Sequence, residues 1–333
     1  MHGSVVDEDR IHSAAEQLAG AKVRAIEPAT SGANSRIFRV ATSDGLFALK
    51  SYPSRQNDKR NRADVEWRAL QFLTARGVTS VPRPFARDAE GQFLLMEWIE
   101  GPLLTSHEPA HIGQAAAFIA QIFALSSESE AAQFPLASEA CLSTARIVQQ
   151  TEERLPLLNS DGPLGAFLAT TFHPALQRAK RHAQSEQAEE ELDARLRRLI
   201  PADFGFHNVV REPSGRLRYI DFEYFGWDDP VKVTADFLLH PAMTLSEEET
   251  RSFARAMGAA LPQDIEFGAR LKRHLPLFAL RWVLILFNPF RCDRAAELPP
   301  EASARHALLS DRMGKAEKLL RWTEPDVVEH SIK

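Results

Sequence analysis

The feature that most constrains the fold is a change of hydrophobic period at Gly101-Pro102. Before it, apolar residues come in short runs, Ile37-Phe38-Arg39-Val40 and Leu46-Phe47-Ala48-Leu49-Lys50, around the turn Ser43-Asp44-Gly45. Such runs about a glycine turn predict a hairpin. Residues 62–76 read as a helix stopped by Gly77, Pro82 and Pro84, and 93–98 as a further strand after Ala89-Glu90-Gly91. Beyond Gly101-Pro102 the period becomes mostly helical, with helices expected over 112–125, 143–157 and 177–199, the last heavily charged. One strand pair interrupts them, Asn208-Val209-Val210-Arg211 and Leu217-Arg218-Tyr219-Ile220, around Pro213-Ser214-Gly215. Residues 126–133 read as a local loop, and no internal repeat is visible. Strands gathered first and helices after them define an α+β chain.

Composition narrows the class of partner. The 333 residues, 44% hydrophobic and 26% charged, suit a globular protein of one large domain or two modest ones. A net charge of -5 without a long Lys/Arg block argues against nucleic acid and anionic membrane as partners. The start Met1-His2-Gly3-Ser4 lacks the basic and apolar regions of a signal peptide. The most apolar stretch, 275–290, is short for a membrane span and contains Pro276 and Arg281, which makes it a buried helix. Cys141 and Cys292 form neither a metal pair nor a disulfide framework, so the expected compartment is reducing and cytoplasmic.

Three places carry candidate chemistry. Lys50 ends an apolar strand and shares a face with Ala48 and Leu46; by itself it reads as a side chain emerging at the surface. Glu66 shares a helical stripe with Leu70 and Leu73, either at the rim in water or buried against a cation such as Lys50. The third place is Ala202-Asp203-Phe204-Gly205-Phe206-His207-Asn208, followed after the hairpin by Ile220-Asp221-Phe222-Glu223. Phosphoryl transfer from ATP needs a carboxylate to take the acceptor's proton and oxygen ligands for the metal ions on the phosphates. Asp203 suits the first role, and Asn208 with Asp221 suits Mg²⁺. The bland reading is two turn-forming residues and a strand-end aspartate. An Asp-x₄-Asn match alone is weak, and its succession by a hairpin and an apolar-Asp-Phe makes chance the poorer account.

Over nearly its whole length the sequence resembles the aminoglycoside phosphotransferases and the related choline, homoserine and sugar kinases. That resemblance implies a two-lobed, protein-kinase-like fold: a small β-rich N-lobe over residues 1–98 that binds nucleotide, and a larger, mostly helical C-lobe over 99–333. Ser31-Gly32-Ala33-Asn34-Ser35-Arg36 resembles the nucleotide-covering loop, giving Ser31, Gly32 and Asn34 as its contacts. By the same matching Lys50 holds the α/β-phosphates, Glu66 pairs with it, and adenine lies against Ala48 and a hinge at 94–101. The Glu97 carbonyl and the Ile99 N–H would meet the adenine edge. Asp203 matches the catalytic aspartate, Asn208 and Asp221 the Mg²⁺ ligands, and Asp236 a brace of the catalytic loop.

The pattern departs from the family at Pro201, where a histidine usually stands, and the nucleotide loop has a single glycine. Glu223, Tyr224 and Trp227 are candidates on the acceptor side, and residues 127–187 an insert that shapes acceptor selectivity. The implied activity is ATP-dependent transfer of the γ-phosphoryl group to a hydroxyl of a small molecule: an amino alcohol, a sugar or an aminoglycoside-like compound. The alternative is a weak or inactive kinase-fold module for nucleotide binding or interaction. A protein kinase is disfavoured by the short interval from Asp221 to Pro230, which leaves little room for a peptide platform.

Overall fold

The computed structural model describes residues 8–31, 35–53, 61–183 and 190–332, with the side chains of Thr30 and Ser31 left out. The chain divides into two compact units. The first takes in the chain up to Ser106 together with His207–Phe225; the second comprises His107–Phe206 and Gly226–Lys333. The fold is α+β, with the sheet in the first unit and most of the helix in the second.

In the first unit, α1 (Glu8–Ala19) leads into β1 (Val23–Ser31), β2 (Arg36–Thr42) and β3 (Leu46–Ser51), then α2 (Arg62–Ala75), β4 (Pro84–Arg87) and β5 (Phe93–Glu97). The strands form one antiparallel sheet in the order β1-β2-β3-β5-β4. The expected β2–β3 hairpin is present, closed by Thr42 N–H donating to the Gly45 carbonyl at 3.0 Å. One sheet face buries Phe38, Val40, Leu49, Phe93 and Leu95 against Ile11 and Ala15 of α1. Strand alternation therefore turns Ala48 and Lys50 to the other face.

α2 buries a stripe of Arg62, Glu66, Ala69, Leu70 and Leu73. The hairpin Val209–Arg211/Leu217–Tyr219 docks on this unit. Leu104 N–H donates to the Val209 carbonyl at 2.8 Å, and Tyr219 N–H to the Ser80 carbonyl at 2.7 Å. Arg218 adds hydrogen bonds to Glu97 at 2.7 Å and to the Val81 carbonyl at 3.0 Å.

The second unit is built from α3 (Pro109–Leu125), α4 (Thr144–Arg154), α5 (Gly162–Phe167), α6 (His173–Ala183), α7 (Pro230–Leu239), α8 (Glu247–Ala259), α9 (Phe267–Leu286), α10 (Ala302–Leu320) and α11 (Pro325–Ser331). A π-helical turn, Leu168–Phe172, joins α5 to α6. α9 is the expected buried helix, and among the described residues no helix is long and apolar enough to cross a membrane.

The long helix expected over 177–199 is not formed: α6 ends at Ala183, and Arg198–Ile200 is a strand paired with Gly226–Asp228. Local bonds that a helix cannot make shape residues 192–197. Asp193 accepts from the Arg195 backbone N–H at 2.9 Å, and the Arg197 guanidinium donates to the Leu192 carbonyl at 2.9 Å.

Candidate functional site

The β3 ladder sets Lys50 opposite Leu94 of β5, and Tyr52 continues the same face two residues on. Lys50 is 2% exposed, so its ammonium must find anions. Nζ donates to Glu66 Oε2 at 2.6 Å and to Asp221 Oδ1 at 2.8 Å, and lies 3.3 Å from Glu223 Oε2. Burial pulls the Lys50 pKa down, but Asp221 and Glu66 outweigh it and hold the group well above its ordinary value. Glu66 is equally enclosed: Oε2 also accepts from Tyr52 OH at 2.6 Å, and Oε1 from the Phe222 backbone N–H at 3.1 Å. Of the two readings that the sequence leaves open for Glu66, the structure realises the buried one.

Asp221 follows the docked hairpin, where Ile220 N–H donates to the Asn208 carbonyl at 3.0 Å. Its backbone is left-handed, φ 70°, a conformation that aspartate tolerates better than most non-glycine residues. The turn directs Asp221 at Lys50 and, one residue later, the Phe222 N–H at Glu66. Burial raises the Asp221 pKa to about 6, with Lys50 opposing the shift.

A cavity of about 860 Å³ opens here, within the range of small-ligand sites. Ala48, Lys50, Glu97, Ile99, Asn208 and Asp221 line it, as do Trp98 and His207. Gly32 and Asn34 lie outside the described residues, and Ser31 closes β1 by pairing with Arg36. The Glu97 carboxylate turns to Arg218, and its backbone N–H donates to the Arg83 carbonyl at 2.8 Å. Gly101 ends this segment at φ 136°, where a Cβ would sit 2.1 Å from the Arg211 carbonyl oxygen.

Asp203 belongs to the second unit. Its N–H donates to the Pro201 carbonyl at 2.9 Å, and the preceding Ala202 has φ 66°, a strained position for alanine. Phe204 stacks between Phe118 and Phe237, and Phe206 N–H meets Met243 Sδ at 3.3 Å, so aromatic packing fixes this turn. Among the described residues the Asp236 carboxylate, expected to brace this loop, bonds elsewhere. Its oxygens take Lys232 and Trp282 Nε1, both at 2.8 Å, because α7 and α9 pack side by side there.

The acceptor-side candidates are all engaged internally. Glu223 is 3% exposed and bonds to Arg62 at 2.5 Å; Tyr224 OH accepts from Arg62 at 2.7 Å; Trp227 Nε1 donates to the Ala131 carbonyl at 2.9 Å. Three residues that sequence reasoning missed complete the first-unit cluster. Tyr52 stands two positions after Lys50 on its strand face, Arg62 four before Glu66 on its helix face, and Arg218 on the docked hairpin. The first two spacings were visible signals.

The donor chemistry suits a hard divalent cation. Carboxylate oxygens of Glu66, Asp221 and Glu223 lie within 4.8 Å of one another, and of these residues Glu66 and Asp221 line the cavity. Glu66 spends both oxygens on protein donors. Asp221 bonds through Oδ1 alone among the described residues, and Asn208 lines the same cavity. Asp221 and Asn208 are the residues that fit Mg²⁺.

Residues 25–271 match the model of the Phosphotransferase enzyme family, and the chain belongs to that family. Among solved structures it is similar to a spectinomycin phosphotransferase in complex with ADP and spectinomycin, at 11% identity and TM-score 0.65, over 98% of this chain and 100% of that one. It is also similar to the choline kinase LicA from Streptococcus pneumoniae, at 15% identity and TM-score 0.61, covering 93% and 99% of the two chains. A choline kinase from Cryptosporidium parvum aligns at 12% identity and TM-score 0.59, over 95% and 97%. Among curated proteins none matches the sequence.

Proposed function

We propose that the protein transfers the γ-phosphoryl group of ATP to a hydroxyl of a small molecule, an amino alcohol, a sugar or an aminoglycoside-like compound. The observation that carries this reading is Lys50, buried at the floor of a nucleotide-sized cavity and held between Glu66 and Asp221. A merely structural lysine has no need of a second carboxylate on a strained turn. In this reading Lys50 binds the phosphates, and the Glu97 carbonyl and Ile99 N–H meet adenine. Asp203 orients the acceptor hydroxyl and takes its proton, and Asn208 and Asp221 hold Mg²⁺. The ion, when bound, neutralises charge on the phosphate oxygens.

The test is ADP release from Mg²⁺ and ATP across a panel of amino alcohols, sugars and aminoglycosides. Asp203→Asn should lower turnover by about 10²–10⁴-fold with little change in nucleotide affinity. An Asp203→Asn protein working at the wild-type rate removes that base from the scheme. A wild type that binds nucleotide and phosphorylates nothing on the panel favours the non-catalytic module.

A further inference from the structure

α2 carries two charged side chains on its buried stripe, one turn apart. Glu66 faces Lys50, and Arg62 faces the segment after Asp221. Arg62 Nη1 lies 2.5 Å from Glu223 Oε1 and 2.7 Å from Tyr224 OH, with its guanidinium 5.1 Å from the Tyr224 ring centre. Two neighbouring residues thus hold the arginine.

Glu223 is thereby held by one oxygen only. Among the described residues its other oxygen, Oε2, makes no hydrogen bond, although it forms an ion pair with Lys50 Nζ at 3.3 Å. Lys50 has three N–H donors, and two are committed, to Glu66 and to Asp221. The third is the one that an entering phosphate would need, and Glu223 is the anion nearest to claiming it. The pair is already within ion-pair reach, so a small rotation of the carboxylate would align Oε2 with that third N–H.

We propose that Arg62 is a positioning residue for nucleotide binding: by gripping Glu223 Oε1 it keeps Oε2 from turning its 3.3 Å ion pair with Lys50 into a hydrogen bond, and so leaves one ammonium proton for phosphate. The inference rests on the reading of Lys50 as a phosphate-binding group. Glu223, which sequence position suggested for the acceptor side, becomes instead a restrained competitor beneath the nucleotide. α2 becomes a double anchor as well. One helix face supplies an anion to the lysine and a cation to the lysine's rival, and the i, i+4 spacing sets both at once.

A structural role for Arg62 and this positioning role diverge when Glu223 is neutralised. If Arg62 acts by restraining the Glu223 charge, replacing the arginine should matter in the wild type and be nearly silent once Glu223→Gln is present. The measurement is the calorimetric Kd for the non-hydrolysable analogue AMP-PNP, with and without Mg²⁺, on wild type, Arg62→Gln, Arg62→Lys, Glu223→Gln and the double variant. Arg62→Gln should bind about tenfold more weakly than wild type, Arg62→Lys should recover most of that loss, and Arg62→Gln/Glu223→Gln should match Glu223→Gln within about threefold.

Should Arg62→Gln fail to fold, the comparison of the double variant with Glu223→Gln decides alone, since the double variant removes both charges and in Glu223→Gln the amide oxygen and Tyr224 OH can still accept from Arg62. A double variant tenfold weaker than Glu223→Gln, or a folded Arg62→Gln that binds as wild type does, overturns the inference while leaving phosphotransfer intact. A wild type that binds no AMP-PNP overturns the functional reading and this inference with it.

Discussion

Replacing Glu66 by glutamine isolates the charge at the centre of the cluster. Glutamine has nearly the same shape, so no cavity term enters. Glu66 accepts three hydrogen bonds, from Lys50, Tyr52 and the Phe222 N–H, and all three donors are buried. A side-chain amide has one oxygen and one NH₂. Whichever way it is turned, at least one donor meets another donor. The change removes a charge-assisted hydrogen bond worth about 1.5–3 kcal/mol and leaves a buried donor unsatisfied at about 1–3 kcal/mol. Lys50 keeps Asp221 at 2.8 Å, which offsets part of the loss. The expected net effect is a destabilisation of about 3 kcal/mol, toward the low end for breaking a buried ion pair. At about 2–4 °C per kcal/mol, calorimetric melting should fall by about 6–12 °C. Nucleotide affinity should weaken as well, because α2 loses its tie to Phe222 beside Asp221. A Glu66→Gln protein that melts within about 1 °C of wild type and binds AMP-PNP equally well would refute this account of the cluster.

Two further perturbations probe the scaffold around the site. Gly101→Ala should lower the melting temperature markedly and weaken nucleotide binding, since its Cβ would overlap the Arg211 carbonyl at a φ of 136°; an unchanged melt would show that the two segments can separate without cost. Asp228 in the second unit is fully buried, accepts from the Cys141 and Asp229 N–H groups through Oδ1, and has its pKa raised by burial to about 7. A carboxyl whose folded pKa lies above its unfolded value of 3.8 binds its proton more tightly in the native state, so its contribution to stability is present below 3.8 and lost as pH rises to about 7. Asp228→Asn should therefore gain on wild type in melting temperature as pH rises from about 4 to about 7, and then run parallel. A gap independent of pH across that window would contradict the assignment.

Local pattern and long-range burial divided the work of specifying this protein. The β2–β3 hairpin, α2, β5, the second hairpin and α9 were legible because period and turn residues are local properties of the chain. β1 was not: Pro28 interrupts its alternation, and the register shifts between Pro28 and Thr30, so only pairing with β2 makes it a strand. The helix expected over 177–199 failed for a related reason, since Arg198–Ile200 becomes a strand through its partner Gly226–Asp228 and not through its own residues.

At the site, sequence alone determined the residue types: a strand lysine, a helix glutamate, and Asp203, Asn208 and Asp221 around a hairpin. Tertiary structure decided which of them face one another. Lys50 and Asp221 stand 171 positions apart in sequence and meet because residues 207–225 fold onto the N-terminal sheet. Whether a charged side chain is buried depends on what packs over it, and no periodicity within one helix or strand encodes that neighbour. Thus the burial of Glu66 and Arg62 is set by the opposing segment, with Phe222 and Glu223, and not by the period of α2.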